Sequence, residues 1–287
     1  YPPKDWRRRP VHEITRGDVA GLLDGIEDRN GPVMADRVLA ALRRLFNWWA
    51  TRDEKFVSPI VKGMARTKPK ERARDRTLSD AEIRALWAAT ETTEPEAFGP
   101  FVRCLLLTAQ RRGEVAEMRF AEVAGETWTI PAERYKTKRP NIVPLSQEAR
   151  AIVTGMKHRA GFVFSSDKGA RAIGGFTKAK AALDADMLAE LRKINRKATL
   201  PAWTLHDLRR TAKTLMAAAG VRPDISERVL GHVIKGVEGT YDRHDYAAEK
   251  RHAIDALAQR VAIILAGETA KVLDMKRGRD AREAAGA

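Results

Sequence analysis

Nine positions separate His232 from Tyr241 in LGHVIKGVEGTY, and this pair poses the chemical question of the chain. The protein has only four tyrosines, yet a second one, Tyr246, follows soon after. A phenol with a pKa near 10 is ionised to roughly one part in a thousand at neutral pH, so as a nucleophile it needs help. Attack on phosphorus requires that the phenol proton be removed, that charge on the non-bridging oxygens be masked, and that the leaving oxygen be protonated. Histidine suits the first task, arginine the second and lysine the third. The chain offers Arg111, Lys136, His206, Arg209, His232 and Tyr241, in that order.

Each piece also has a plainer reading. His206 and Arg209 lie in WTLHDLRRTAKTLMAAAGVRP, where Thr204 and Asp207 have capping-box spacing and Gly220 and Pro223 stop the helix. At helical periodicity Leu208, Ala212, Leu215, Met216 and Ala219 share one side. His206, Arg209 and Lys213 share another, near an N-terminus that favours an anion. Taken alone, that set is also an ordinary polar face. Arg111 precedes Glu114 by one helical turn, which allows either a guanidinium held in a fixed fork or an exposed ion pair. Arg112 is the competing arginine and reads as surface. Lys136 and Lys138 sit at a strand-to-strand turn, a place for a soluble lysine or for an ammonium pushed into a groove. Tyr241, behind Gly239 and Thr240, does not read as deep core; Tyr246 is the alternative nucleophile, and Tyr135 reads as a strand residue that packs or touches backbone.

The elements that must position these groups are mostly helical. ITRGDVAGLLDGI opens with Thr15 and Asp18 at capping-box spacing and lines up Val19, Leu22, Leu23 and Ile26. The next helix carries Val38, Leu42, Leu45, Phe46 and Trp49 on a stripe, with Arg37, Arg43, Arg44 and Arg52 off it. The Trp48–Trp49 pair is expected in the core rather than as a base-stacking platform. MARTKPKERARDRT then breaks the period, and its alternating cations Arg66, Lys68, Lys70, Arg72, Arg74 and Arg76 read as a solvated linker or as a strap along a phosphate backbone. Beyond it, Ser79 and Glu82 cap a helix, and FGPFVRCLLLTA follows as a buried one. Short strands are predicted at TWTIP, ERYKTK, NIVPL and FVF, and helices at 146–158, 174–196, 205–219 and 248–266. The last helix aligns Ile254, Leu257, Val261 and Ile264, either to close its own core or to dock on a neighbouring protomer.

Bulk properties narrow the partners. Lys and Arg number 53 against 38 Asp and Glu, a net charge of +15, and such an excess calls for a polyanion. No apolar run approaches the roughly 20 residues that cross a bilayer, and no basic amphipathic segment stands apart, so nucleic acid is favoured over a membrane. The lone Cys104 among apolar neighbours reads as a buried thiol in a reducing compartment. No Cys/His cluster has zinc-ligand spacing, and neither metal nor cofactor is expected. The chain opens without methionine or signal peptide, which suggests that an upstream part has been removed.

TAQRRGE, YKTKRPNIVPL, HDLRRT, LGH and GTYDR, in that order, resemble the motifs of the tyrosine recombinases, the phage-type integrase family, in the flavour carried by prophages and genomic islands. The resemblance spans about residues 5–265. It implies that Arg111 and Arg209 clamp the scissile phosphate, with Glu114 bracing the first. It implies Lys136 as general acid for the 5′ oxygen, His206 in phosphate contact and proton transfer, His232 as a hydrogen bond to the phosphate, and Tyr241 as the nucleophile of a 3′-phosphotyrosyl intermediate. The family commonly has glycine where this chain has Ala109.

The reading is a mainly α, two-domain clamp: a helical core-binding domain over 1–66, a basic linker over 67–77, a catalytic α domain with a small antiparallel sheet over 78–268, and a tail over 269–287. The expected function is site-specific recombination at double-stranded attachment sites, integrating or excising a mobile element. Relaxation of the type IB topoisomerase kind and a non-catalytic DNA-binding regulator are the alternatives. Arg37, Arg43, Arg44, Arg66, Lys68, Lys70, Arg72 and Lys138 are the candidate DNA contacts. A homotetramer on DNA through the C-terminal helix, accessory DNA-bending or directionality proteins, and a cytoplasmic, nucleoid-associated location are expected. An arm-binding domain is frequent in this family and would precede Tyr1.

Overall fold

Thr15 starts the first long helix by capping it. Its hydroxyl accepts from Asp18 N at 3.2 Å while Asp18 Oδ2 accepts from Thr15 N at 2.8 Å, a reciprocal pair that satisfies two otherwise orphaned donors. Helix α1 (Arg16–Asn30) ends at Gly31, whose φ of 79° turns the chain into α2 (Pro32–Ala50), and Pro32 enters at the first turn, where no N–H is missed. Val19, Leu22, Leu23 and Ile26 of α1 pack with Ala35, Leu39, Leu42 and Phe46 of α2, and Phe56, Ile60 and Met64 cover this small core. It belongs to the first of two compact units, Tyr1–Asp75; the second is Arg76–Ala287. The computed structural model describes residues 3–68, 74–135, 138–158, 160–232 and 244–267.

The buried stripe of α2 keeps Leu42 and Phe46 from the expected one but is completed by Ala35 and Leu39 rather than by Leu45 and Trp49. Leu45 is 45% exposed and Trp48 49% exposed, and Trp49 is only half-buried, so the tryptophan pair is not core. Arg52 instead lays its guanidinium over the Trp48 ring at 3.9 Å from the centroid.

In the second unit, Ser79 and Glu82 cap α3 (Asp80–Ala89), and α4 (Phe98–Thr108) is buried along nearly its whole length. Cys104 of α4 is fully buried, and burial pushes its thiol pKa up to about 12, which leaves it an inert apolar side chain. A short α5 (Arg112–Ala116) follows, then a three-stranded antiparallel sheet of β1 (Val123–Ala124), β2 (Thr127–Ile130) and β3 (Asn141–Pro144). Trp128 pairs with Val143 and Ile130 with Asn141 in the β2–β3 register, and all four of these residues are buried. The expected strand at ERYKTK is a turn over Glu133–Tyr135, because Tyr135 N donates to Pro131 O at 3.1 Å instead of entering a ladder; 136–137 lie outside the described residues. The first strand is Val123–Ala124, and the expected strand at 162–164 reduces to one bridge between Arg119 and Phe162.

The rest is helical: α6 (Gln147–Gly155), α7 (Phe176–Ile194), α8 (Leu205–Ala218), α9 (Pro223–Val229) and α10 (Ala247–Leu265). Helix α10 packs on α3, α8, α9 and β3, and it buries Ile254, Leu257, Val261 and Ile264 in the core of its own unit. Its apolar stripe is spent there, so the described part of this helix offers no such face to a neighbouring protomer. Among the described residues no helix is long and apolar enough to cross a membrane.

Candidate active site

Helix α4 ends at Ala109, whose φ of 55° lies in the left-handed region that favours glycine. The chain then passes Gln110 and reaches Arg111 at the N-cap of α5. There Glu114 grips Arg111 twice, accepting from its backbone N at 3.0 Å and from Nη1 at 2.6 Å. Burial lowers the Arg111 pKa, but the bond to Glu114 and the Tyr135 phenol outweigh it, and the net shift is upward. The guanidinium lies over the Tyr135 ring at 5.4 Å.

Arg209 enters from α8, whose first turn is fixed by Asp207 Oδ2 accepting from Thr204 N at 2.8 Å and from its hydroxyl at 2.9 Å. The periodicity places Arg209 on a polar face, but it is 5% exposed. A buried guanidinium demands acceptors. Nη1 donates to Ala109 O at 2.8 Å, and Nη2 donates to Leu230 O and meets His232 Nε2 at 3.0 Å. Burial, then the field of Arg111, brings its pKa down to about 10, so it stays a cation at neutral pH.

His232 follows the C-terminal turn of α9, its backbone N donating to Glu227 O at 3.0 Å. Glu227 also takes the Nδ1 side of the imidazole and pairs with Lys213 of α8. Burial would raise the Glu227 pKa, but the bonds to Lys213 and His232 prevail and hold it below the usual value. His206 reaches the surface at the start of α8 with its ring partly shielded from water, and that partial desolvation, then Arg210 and Arg209, lowers its pKa. His206 and Arg111 line one cleft of about 640 Å³, along with Arg112, Phe176, Lys180 and Trp203.

The structure therefore brings together Arg111, Glu114, Arg209 and His232, with His206 at the adjoining cleft. Lys136 and Tyr241 lie outside the described residues. Tyr246 is the N-cap of α10 with φ 53°, and Arg228 lies over its ring at 3.7 Å. Gln110 and Glu227 complete the site, and sequence reasoning did not single them out. Gln110 donates to Val229 O at 2.8 Å and accepts from Asn141 Nδ2 at 3.2 Å, contacts with residues too distant in sequence to leave a local pattern.

Residues 76–248 match the model of the phage integrase family. The chain belongs to this family. It is 28% identical over 266 residues to prophage integrase IntZ of Escherichia coli, a match covering 91% of this chain and 63% of that protein. It is 34% identical over 160 residues to prophage integrase IntA of the same organism, covering 52% and 36%. The chain thus spans less than two thirds of the length of these curated relatives. In fold it is similar to a lambda integrase dimer bound to a COC′ core site, with a TM-score of 0.59 at 16% identity over 85% of this chain and 69% of that one. It is also similar to the Tn1549 transposon integrase in complex with circular intermediate DNA, with a TM-score of 0.58 at 14% identity over 85% and 86%.

The cationic residues read as DNA contacts differ in their surroundings. Arg37, Arg43 and Arg44 are exposed on α2, and Lys68 is exposed at the edge of the described residues. Arg66 is engaged by two carboxylates of α1, Asp24 and Glu27, the latter at 3.1 Å from Nε. Lys138 is exposed with φ 57°, its Nζ donating to Glu133 O at 3.3 Å. Lys70 and Arg72 lie outside the described residues.

Proposed function

We propose that this protein is a site-specific DNA recombinase that cleaves and rejoins strands through a 3′-phosphotyrosyl intermediate. The observation that carries this reading is a buried guanidinium, Arg209, held against His232 by two backbone carbonyls and within the field of a second braced guanidinium, Arg111. Two fixed cations beside an imidazole form a receptor for a phosphodiester oxyanion, worth most where water is excluded. Tyr241 Oη attacks phosphorus, the P–O5′ bond breaks, and Lys136 gives its proton to the departing 5′ oxygen. His206, whose imidazole titrates below its ordinary value in the DNA-free protein because of burial and then Arg210 and Arg209, is the group that takes the phenol proton. The covalent link conserves the phosphodiester, so a 5′ hydroxyl of another strand reverses the step without ATP. The two guanidiniums supply the charge neutralisation that a divalent ion supplies elsewhere.

Duplex DNA is the substrate that the net charge of +15 favours. Residues 1–66 serve as core-binding domain, the segment 67–77 as linker and residues 78–268 as catalytic domain. Solved relatives include a lambda integrase tetramer bound to a Holliday junction, and we extend that assembly to this chain as a tetramer pairing two attachment sites.

The test is a nicked, short-ended duplex of the attachment site, from which the cleaved fragment diffuses away. A denaturant-resistant protein–DNA adduct is expected, lost in Tyr241→Phe and kept in Tyr246→Phe. No adduct on a genuine site points to a binding-only regulator. An adduct with efficient supercoil relaxation but no two-site product points to topoisomerase chemistry.

A further inference from the structure

Three consecutive carbonyls at the end of α9 are each taken by a side chain from a different part of the fold. Gln110 donates to Val229 O at 2.8 Å, Arg209 to Leu230 O, and the Tyr135 hydroxyl to Gly231 O at 3.1 Å. The last carbonyls of a helix have no partner within it, so side chains that reach them decide how the chain leaves. The next residue is His232. Gly231 has φ 63°, and a β-carbon on it would lie 1.6 Å from the Tyr135 hydroxyl and 2.8 Å from the ring carbon bearing it. The phenol thus fills the space in which any other residue at 231 would carry its side chain.

We propose that Tyr135 is a positioning residue for strand cleavage, acting through His232 by fixing the Gly231 carbonyl and so the direction in which the imidazole enters the site. This rests on the strand-transfer reading above. The hydroxyl is a donor already committed to a carbonyl, in a residue 3% exposed, so Tyr135 is not itself a nucleophile. Burial raises the phenol pKa, which keeps that donor protonated. The same ring lies under the Arg111 guanidinium, and Tyr135 immediately precedes Lys136. One side chain thereby ties the turn that leads to the candidate acid to the turn that presents the candidate histidine.

The experiment compares the full chain, Tyr135→Phe, His232→Ala and the double variant in single-turnover cleavage of the nicked duplex, alongside duplex binding and amide hydrogen exchange. Tyr135→Phe keeps the ring over Arg111 and removes the hydroxyl that donates to Gly231 O and faces the Arg111 guanidinium, so the His232→Ala background separates the part that acts through His232. Cleavage is expected to fall about tenfold with duplex binding unchanged, and exchange at the Leu230–His232 amides to quicken while α6 is unaffected. In the His232→Ala background the same change is expected to have almost no further effect on cleavage. Unaltered cleavage in Tyr135→Phe, or an equal loss with and without His232, overturns the proposal while leaving the strand-transfer reading intact. A parent protein that forms no adduct overturns both.

Discussion

Arg209 Nη2 lies 3.0 Å from Nε2 of His232, and Glu227 meets Nδ1 on the other side of the ring. The two candidate phosphate ligands therefore hold each other before any phosphate is present. Arg209 reaches Ala109 O and Leu230 O with the same planar group, and a lysine ammonium on a thinner stem cannot serve three acceptors in those directions. Arg209→Lys is expected to lower cleavage by on the order of a hundredfold with site binding largely kept. Leaving buried carbonyls unpaired is expected to cost about 1–3 kcal/mol, read as a lower urea midpoint at unchanged slope.

His206 gives a pH prediction. Burial and the positive field of Arg210 and Arg209 disfavour its cation, so its imidazole titrates below the ordinary value in the DNA-free protein. The sign for stability follows from proton counting. The unfolded chain binds this proton more readily, so the folded state loses stability as pH falls from the ordinary imidazole pKa through the lower folded one. Arg210→Ala removes part of the opposing field and is expected to move the imidazole titration upward. Site DNA, bringing a phosphate, is expected to do the same, and both shifts are readable from the His206 ring protons by NMR.

Glu227 gives a second pH prediction, of a different kind. Its pKa lies below the usual value because Lys213 and His232 together outweigh burial. This carboxylate contributes stability that is present above the ordinary Glu pKa and is lost as pH falls through its lower folded value. Glu227→Gln is expected to flatten the fall in thermal stability below about pH 5. Glu227→Ala, which also releases Nδ1 of His232, is expected to slow cleavage by about tenfold while leaving duplex binding unchanged.

The contrast between what was legible in the residues and what was not is one of range. The capping pairs Thr15–Asp18 and Ser79–Glu82 operate within a single helical turn, and local spacing is enough to find them. The burial of Arg209 depends on carbonyls of Ala109 and Leu230 that only the tertiary fold delivers, so periodicity alone put it on a solvated face. On α2 the apolar residues cover more than one side, and the period does not say which edge faces the partner helix. Leu42 and Phe46 went inward, while Leu45 and Trp48 stayed out. The segment around Tyr135 has the residue types of a strand, yet the Pro131 carbonyl captures its backbone N–H and closes a turn. Gln110 and Glu227 gave no signal because a glutamine after a helix and a glutamate within one are commonplace until their partners are known.

The salt dependence of DNA binding separates cations that look alike in the sequence. Each phosphate neutralised in duplex DNA steepens the fall of log affinity with log salt by about 0.9. Arg43 and Arg44 are exposed on α2, and among the described residues neither is paired with a carboxylate. Arg66 already faces Asp24 and Glu27, so its charge is largely answered within its own unit. Arg43→Ala and Arg44→Ala are each expected to reduce the magnitude of the slope by about 1, uniformly across DNA sequences. Arg66→Ala is expected to leave the slope unchanged and to lower the stability of the first unit instead. Fluorescence anisotropy over a salt series measures all three. A slope change for Arg66→Ala as large as that for Arg43→Ala would mean that DNA draws this guanidinium away from its two carboxylates on binding.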